Sequence, residues 1–177
     1  MIYYNITSWV LGMTSEISKS VGFEFHDHDV CLETAIKAAE AYCDRFKLQF
    51  TPSRRKVLEI LLEEHRALGA YAILDLLRES GLGSQPPVAY RALSFLVEHG
   101  FAHKIERLNA FVACALPDTL HSPAFMICRK CDIVVEAQSP SSSFDLSATA
   151  IATGFDIEQT ILEAEGICHS CVEKVPA

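Results

Sequence analysis

From Leu32 to about residue 99 the chain carries apolar side chains every three to four positions, which is the spacing of amphipathic helices, whereas residues 1–30 are poorly patterned. LETAIKAAEAYCDRFKL, which starts at Leu32, predicts a first helix. TPSRRKVLEILLEEH predicts a second helix, with Thr51 as its N-cap and Pro52 at its first position. AYAILDLLRESG predicts a third helix that ends at Gly81.

A fourth helix is predicted in GSQPPVAYRALSFLVEHG, where Ser84 is the candidate cap, two prolines open the helix and Gly100 ends it. The predicted apolar faces of the first, second and fourth helices are, in order, Ala35, Ile36, Ala39, Tyr42, Cys43 and Phe46; Val57, Leu58, Leu61 and Leu62; and Val88, Leu93, Leu96 and Val97.

Beyond Gly100 the helical spacing gives way to short apolar runs. FAHKIERLNAFVACAL holds two such runs around a turn near Leu108 and Asn109, which predicts a β-hairpin. Helices followed by a hairpin are the order of a winged helix-turn-helix. An ordinary α+β domain with no role on DNA has the same order, so the pattern alone leaves both open.

The rest of the chain predicts a second, smaller unit. Strands in AFMIC and IVVEA are followed by a break at QSPSSS. A short helix with Phe144, Ala148 and Ile151 on its apolar face ends at Gly154, and a last strand runs over roughly 155–164. The predicted fold class is α+β, divided into a tail over 1–31, a winged-helix domain over 32–115, a hinge (LPDTLHSP) over 116–123 and a small α/β domain over 124–177.

Charge narrows the choice of partners. The formal net charge of −8 argues against indiscriminate binding to nucleic acid. Residues 50–107 carry 8 basic and 7 acidic side chains, a net of +1, whereas residues 108–177 carry 3 and 9, a net of −6. If a polyanion binds, we expect it at the middle third of the chain.

Cysteine usage points to a reducing compartment. The seven cysteines are an odd number, and the start of the chain lacks the basic region and cleavage pattern of a signal peptide. No apolar run approaches the ~18 residues of a membrane span. We therefore expect a cytoplasmic protein with no membrane partner, in which C-x-x-C pairs bind metal or exchange thiols more often than they form disulfides.

Two such pairs, CRKC at 128–131 and CHSC at 168–171, predict a structural zinc site. Each presents two sulfurs from one turn, and together they form a closed shell of four thiolates, Cys128, Cys131, Cys168 and Cys171. A thioredoxin-type couple would need one motif that opens a helix after a strand. Here two motifs are present, and both are expected to end strands. Zinc would staple a small β-rich domain that buries little core by itself.

A second group of possible ligands flanks the predicted hinge: His103, Cys114, His121 and Glu136. A single histidine or cysteine on a half-buried strand is more often core or surface than ligand. Jointly these residues offer two imidazoles, a thiolate and a carboxylate. An ion held from both sides of the hinge would fix the angle between the two domains.

The segments TPSRRKVL, PPVAYRALSFLVEHGFAHKIE, FMICRKCDIVVE and EAEGICHSC occur in an order that resembles the ferric uptake regulator superfamily, in particular its zinc uptake regulator branch. The resemblance covers about residues 32–173. It implies a homodimer with an N-terminal winged helix and a C-terminal α/β dimerisation domain, which represses zinc-import genes when zinc is plentiful.

The resemblance also assigns the metal sites, with about two Zn²⁺ per chain. It implies a structural site at the four cysteines of the two motifs and a regulatory site at His103, Cys114, His121 and Glu136. Iron and peroxide sensors of the superfamily, the alternative branches, usually carry a cluster such as H-H-D-H where this chain has HKIERLNAF. A thiolate ligand also favours zinc over iron(II) or manganese(II).

The chain departs from the pattern of the superfamily at three places. Val88–Ala89 follows the paired prolines where Thr-Val is usual, so that a hydroxyl contact to phosphate is lost. Glu165 stands where relatives often have histidine, which puts a further dimer-interface metal site in doubt. HDHDVC adds His26, His28 and Cys31, which could capture zinc together, although a solvated tail is the default.

In the winged-helix interpretation the fourth helix, about residues 86–99, enters the major groove of an operator that is palindromic because the protein is a dimer. Tyr90 and Arg91 lie near its start, where base edges and phosphates are reached. Arg54, Arg55 and Lys104 are candidates for phosphate contacts. The plain alternative for each is a solvated surface residue.

Two other classes of protein fit the sequence less well. A zinc hydrolase or deaminase would need an open three-ligand site with an H-x-E base, and HKIE does not supply it. A zinc-ribbon adaptor without DNA binding would leave the basic residues of the middle third unexplained. No nucleophile–base pair stands out, so we predict no catalysis.

Overall fold

The structure is a computed structural model that describes residues 28–63, 66–83, 85–115, 117, 123–138, 146–158 and 160–172. Several predictions fall outside the described residues: the tail with His26, the cap Ser84, nearly all of the hinge with His121, and Phe144. His28 and Cys31 lie in a described helix, but the positions of their side chains are outside the description.

Four helices and a three-stranded sheet form the first part of the chain. They are α1 His28–Phe46, α2 Pro52–Glu63, β1 Leu68–Gly69, α3 Ala70–Glu79, α4 Pro86–Glu98, β2 Ala102–Ile105 and β3 Ala110–Ala113. The antiparallel sheet has the order β1-β3-β2. β1 was not predicted, because two residues are too few to show a period.

Local signals fix several helix ends as the sequence predicts, but two starts differ. α1 begins at His28 rather than Leu32, inside the predicted tail, and the N-cap position of α4 is Gln85 rather than Ser84 and forms no side-chain cap hydrogen bond. The Arg54 backbone N–H donates to Thr51 Oγ1 at 3.4 Å, so Thr51 caps α2. Gly81 and Gly100 have φ angles of +71° and +74°, which lie in the left-handed region that glycine tolerates best. The β2–β3 turn over residues 106–109, called the wing turn below, contains Asn109 at a φ of +46°.

The predicted apolar faces need correction at their edges. Phe46 is 52% exposed at the end of α1, and Val97 is 36% exposed on α4. The buried stripe of α4 is instead Ala89, Ala92, Leu93, Phe95 and Leu96. α4 packs against both α2 and α3, and their positions select the stripe that starts at Ala89 over a neighbouring one of similar hydropathy.

The second part of the chain is β4 Pro123–Cys128, β5 Val134–Gln138, α5 Ser147–Thr153, β6 Leu162–Gly166 and α6 His169–Val172. The sheet order is β5-β4-β6, with β4 antiparallel to β5 and parallel to β6. Here too the structure corrects the sequence. Ala148 and Ile151 are exposed and Ala150 is the buried residue of α5, while the last strand begins at Leu162 rather than near residue 155.

Two apolar clusters hold these parts. The larger lies among α1–α4 and the first sheet. The smaller joins the sheets, because Ile105 of β2 packs with Phe125 and Ile127 of β4. A β-bridge between Arg66 and Ile133 adds a backbone link between the two parts. Among the described helices, none combines the length and the apolar character that a membrane span needs.

Candidate metal centres and DNA-facing surface

The parallel pairing of β4 and β6 brings the two cysteine motifs together. Cys128 is the last residue of β4 and pairs with Gly166, the last residue of β6, so both motifs leave the same edge of the sheet. Cys131 lies in the turn after β4. Cys168 precedes α6 and Cys171 lies in it, where the Cys171 N–H donates to the Cys168 carbonyl at 2.9 Å. CHSC therefore runs into a helical turn after β6, so the expectation that both motifs end strands is wrong for the second motif.

The spacing of the four sulfurs is compatible with a tetrahedral thiolate site. All of them lie within 4.8 Å of one another, and the Cys131 and Cys168 sulfurs are 3.7 Å apart. A zinc–sulfur distance of about 2.3 Å implies a sulfur–sulfur edge of about 3.7 Å. The donor set therefore fits zinc, and four convergent sulfurs disfavour an isolated two-cysteine redox couple.

Backbone donors already favour one thiolate in this group. The Cys168 N–H donates to the Cys128 sulfur at 3.3 Å. This bond, with help from the Lys130 N–H, lowers the pKa of Cys128 to about 6. The Cys168 and Cys131 thiols beside Cys171 raise the pKa of Cys171 to about 12. Since zinc binds thiolates, the backbone donors that stabilise the Cys128 thiolate also favour zinc binding at this sulfur.

A second cluster, called the sensor cluster below, contains His103, Cys114 and Glu136, whose ligand atoms also lie within 4.8 Å of one another. His103 Nε2 is 3.3 Å from Glu136 Oε1, and Cys114 Sγ is 4.0 Å from the same oxygen. The other carboxylate oxygen of Glu136 accepts a hydrogen bond from the Ala115 N–H at 2.8 Å. An imidazole, a thiol and a carboxylate are a donor set that fits zinc with one position left.

The elements that supply the sensor cluster come from both sheets. His103 lies on β2, and Cys114 follows β3, where its N–H donates to the Phe101 carbonyl at 3.0 Å. Glu136 lies on β5, in the second sheet. The cluster therefore spans the two parts of the chain. The predicted fourth ligand, His121, is outside the described residues.

The residues that the sequence predicts to contact DNA differ in their surroundings within the protein. On α4, Tyr90 is 45% exposed, and Arg91 is exposed with its Nε donating to the Pro87 carbonyl at 3.1 Å. Arg54 lies 3.7 Å above the Phe95 ring and donates to the Gln49 carbonyl. Their DNA contacts stay predictions.

The two remaining candidates pair with carboxylates. Arg55 contacts Glu40 and Glu59, and Lys104 contacts Glu106 at 2.7 Å. Part of their charge is therefore compensated within the protein, and a phosphate would compete with these partners. Their roles also stay predictions. Among the described residues, Arg91 of α4 has no carboxylate partner, and its guanidinium contacts a backbone carbonyl.

Comparison with known proteins agrees with this geometry. The chain is 39% identical over 136 residues to the zinc uptake regulation protein of Escherichia coli (strain K12), which covers 76% of this chain and 80% of that protein. The chain belongs to the zinc uptake regulator branch of the ferric uptake regulator superfamily. The ferric uptake regulation protein of Staphylococcus aureus (strain N315) is 29% identical over 125 residues, 70% of this chain and 88% of that protein. No protein-family model matches the chain.

Solved structures of zinc uptake regulators share the fold. A zinc uptake regulator complexed with zinc and DNA superposes with a TM-score of 0.76 at 37% identity, over 80% of this chain and 95% of that chain. The crystal structure of holo XcZur gives 0.71 at 38% identity, over 79% and 98%. The predicted fold class and the predicted branch of the superfamily are confirmed.

One residue with a role in this arrangement, Glu163, was missed by sequence reasoning. It lies on β6, and its carboxylate accepts hydrogen bonds from the backbone of the wing turn. The available signal was the alternation LEAEG, which puts Glu163 and Glu165 on one face of a strand. Nothing in that alternation indicates what the face contacts.

Proposed function

We propose that this chain is a zinc-sensing transcriptional repressor of zinc-uptake genes, which binds palindromic operators as a zinc-loaded homodimer. The observation that carries the proposal is the sensor cluster. Its imidazole and thiol come from the hairpin formed by β2 and β3 with the residue that follows β3, called the wing hairpin below, and its carboxylate comes from the other sheet. An ion at this point contacts both parts of the molecule.

Zinc, when bound, would supply a cross-link between His103 and Cys114 on the hairpin side and Glu136 on the other. The Glu136 Oε1 atom lies 3.3 Å from His103 Nε2 and 4.0 Å from Cys114 Sγ, so the three ligand atoms already converge on one point. The cross-linked arrangement would be the one whose recognition helices match an operator. Zinc and DNA would then raise each other's affinity by the same factor, as linkage requires.

The four-cysteine site would have a different task. It joins the ends of β4 and β6 and has no open ligand position, which is the design of structural zinc. We propose that it is filled at all times and holds the small sheet together. The total would be about two Zn²⁺ per chain, one structural and one regulatory.

Dimerisation is supported by the apolar surface of the second part. Ile151 is 81% exposed, Phe155 is 70% exposed and Met126 is 49% exposed. Three large apolar side chains exposed in one small unit are candidates for burial in a protein interface. A homodimer would bury them and present two α4 helices, with Tyr90 and Arg91, to the two halves of a palindrome.

The proposal includes a cytoplasmic location and no catalytic activity. The four cysteines would serve structure and the sensor cluster would serve sensing, so neither set of ligands is assigned to a reaction. The relatives are named as regulators, and one solved structure is a zinc uptake regulator complexed with zinc and DNA. The thiolate of Cys114 disfavours an iron sensor, because iron(II) prefers oxygen and nitrogen ligands.

The test is a gel shift with the DNA upstream of a zinc-transporter operon, across a series of buffered free-zinc concentrations. We expect a retarded complex with the stoichiometry of a dimer that forms only as free zinc rises. A scrambled duplex is the control. Equal binding to both duplexes, or binding to the operator that does not depend on zinc, would contradict the proposal.

A further inference from the structure

The wing turn is held by a carboxylate of the second sheet at a point away from the sensor cluster. Glu163 Oε1 accepts a hydrogen bond from the Glu106 N–H at 2.7 Å, and Oε2 accepts one from the Arg107 N–H at 3.2 Å. One half-buried side chain therefore satisfies two successive backbone donors of the turn. Hydrogen bonds to an ionised acceptor are about twice as strong as neutral ones.

The register of the second sheet links this contact to the sensor cluster. Phe125 of β4 pairs with Glu136 on β5 and with Glu163 on β6. Residues in register on neighbouring strands project from the same face of a sheet. Glu136, Phe125 and Glu163 therefore form one row across three strands. This row faces the wing hairpin from its metal-binding end to its turn.

The middle of the row is a fixed apolar contact. Phe125 is fully buried, and its ring centroid lies 5.3 Å from that of His103. Phe125 also packs with Ile105, the last residue of β2. The wing hairpin thus packs on Phe125. Glu136 contacts it at the end that carries the sensor cluster, and Glu163 contacts it at the wing turn. Glu136 bonds the Ala115 N–H just after β3 and also lies beside the two other ligands of the sensor cluster, whereas Glu163 bonds two backbone N–H groups of the wing turn and contacts none of the described candidate ligands.

A neighbouring ion pair contributes less to the same contact. Arg107 of the wing turn pairs with Glu165, two residues beyond Glu163, but the two side chains are 54% and 30% exposed. Ion pairs exposed to this degree add little to stability because water screens them. The bonds to the backbone, which do not require a long flexible cation to be ordered, are the stronger part.

We propose that Glu163 is a positioning residue, a metal-independent latch that holds the wing turn on β6 and thereby sets how readily the sensor cluster takes up zinc. In the metal-free chain the latch maintains the arrangement in which His103 and Cys114 face Glu136. The apparent zinc affinity of a site scales with the population of its binding-competent arrangement. Loss of the latch lowers that population and weakens zinc binding without touching a ligand.

The test variant is Glu163→Gln, which keeps the shape of the side chain but turns one acceptor into a donor that faces an N–H. We expect the free-zinc concentration at half-occupancy of the regulatory site to rise about 10- to 100-fold, the ratio that corresponds to one lost hydrogen bond to a charged group. The measurement is competition against a zinc chelator with no DNA present. The zinc of the four-cysteine site should be retained in full.

Glu158→Gln is the matched control, since it removes the same charge from an exposed position between α5 and β6. Its zinc midpoint should equal that of the wild type. Arg107→Ala keeps the backbone N–H groups and should change the midpoint less than about threefold, as expected for an exposed pair. An unchanged midpoint in Glu163→Gln, or an equal shift in Glu158→Gln, would overturn the latch.

A second variant and a second measurement separate the role of the Glu163 carboxylate from other effects of the substitution. Glu163→Asp keeps the charge but withdraws the carboxylate by one methylene, and it should raise the midpoint in the same direction. Hydrogen exchange at the Glu106 and Arg107 amides should accelerate in both Glu163 variants. Midpoint shifts without faster exchange at these two amides would also overturn the latch, because the effect would then arise elsewhere.

The inference rests on the proposed function only for its consequence on DNA. If the wild type fails to bind an operator in response to zinc, the proposed function fails. The chelator competition and the amide exchange still decide whether Glu163 controls the sensor cluster. If the wild type responds, the gel-shift midpoint of Glu163→Gln should move by the same factor as its zinc affinity.

Discussion

Cys114 and Glu136 stand 22 positions apart in the chain, yet the sulfur and the carboxylate meet inside the protein. Because both would be ligands, their removal should act on zinc sensing and leave folding intact. We expect Cys114→Ala and Glu136→Gln each to raise the zinc midpoint of operator binding at least about 10-fold, since even indirect ligand partners cost that much. Glu136→Gln keeps an acceptor for the Ala115 N–H and is the gentler variant.

These variants are measured by gel shift across buffered zinc, with sedimentation to follow the dimer. The Glu158→Gln control should behave as the wild type. An unchanged midpoint in both ligand variants would move the sensor to another part of the chain. HDHDVC, with His26, His28 and Cys31, is then the first place to look.

Arg91 carries the second prediction at the scale of a residue. Arg91→Ala should weaken specific operator binding by about 30- to 10⁴-fold, because one base contact is worth about 1–3 kcal/mol and a dimer loses it twice. Zinc content and dimerisation should stay normal, since the side chain is exposed. Titration against operator and scrambled duplexes measures the effect, and an operator affinity equal to that of the wild type would exclude α4 as the recognition helix.

Arg54→Ala is the contrasting variant. A phosphate contact should be lost on every DNA sequence alike and should flatten the salt dependence of binding. Arg54 also stacks on Phe95, so the thermal midpoint of the free protein must be measured beside the DNA affinity. A uniform loss of affinity at unchanged thermal stability would identify a phosphate contact. A loss confined to the operator would contradict that role.

At the scale of an element, the start of α2 depends on Thr51. The Arg54 N–H donates to its hydroxyl, and Pro52 removes a backbone donor that would otherwise need a partner. Thr51→Ala should lower the free energy of unfolding by about 0.5–2 kcal/mol, toward the lower end because the bond is 3.4 Å long. Urea unfolding of the zinc-loaded protein measures it.

Thr51→Ser is the matched control for the cap, since serine keeps the hydroxyl acceptor. Its free energy of unfolding should lie within a few tenths of a kcal/mol of the wild type. Equal destabilisation by serine and alanine would show that the methyl group of Thr51 matters and the cap does not.

At the scale of the whole molecule, the four-cysteine site should decide whether the second part folds. Structural zinc in small modules supplies on the order of 10 kcal/mol of folding free energy. We expect Cys128→Ser to lose about one tightly held zinc per chain and to become monomeric or poorly folded. Elemental analysis and size-exclusion chromatography measure both quantities.

Cys43→Ala controls for the loss of a buried thiol. Cys43 lies in the large apolar cluster of the first part and contacts neither metal centre. This variant should keep its full zinc content and remain dimeric. A Cys128→Ser protein that also stays dimeric with full zinc content would contradict the structural assignment.

The sequence by itself determined whatever depends on near neighbours in the chain. Thr51 and Pro52 fixed the start of α2, the paired prolines fixed the start of α4, and Gly81 and Gly100 fixed the ends of α3 and α4, because these residues act on backbone groups a few residues away. The spacing of CRKC and CHSC identified a thiolate site, because two residues between cysteines suffice to aim both sulfurs at one ion. Ligand type pointed to zinc for the same local reason.

Only the tertiary structure decided which distant groups meet. The existence of β1, the exposure of Val97 and Ile151 and the burial of Ala150 follow from packing between elements, which a helical period cannot report. The row of Glu136, Phe125 and Glu163 exists because β4 pairs with β5 on one side and β6 on the other. The register is set between strands that are far apart in the sequence, so the pattern of apolar residues within one strand does not determine it.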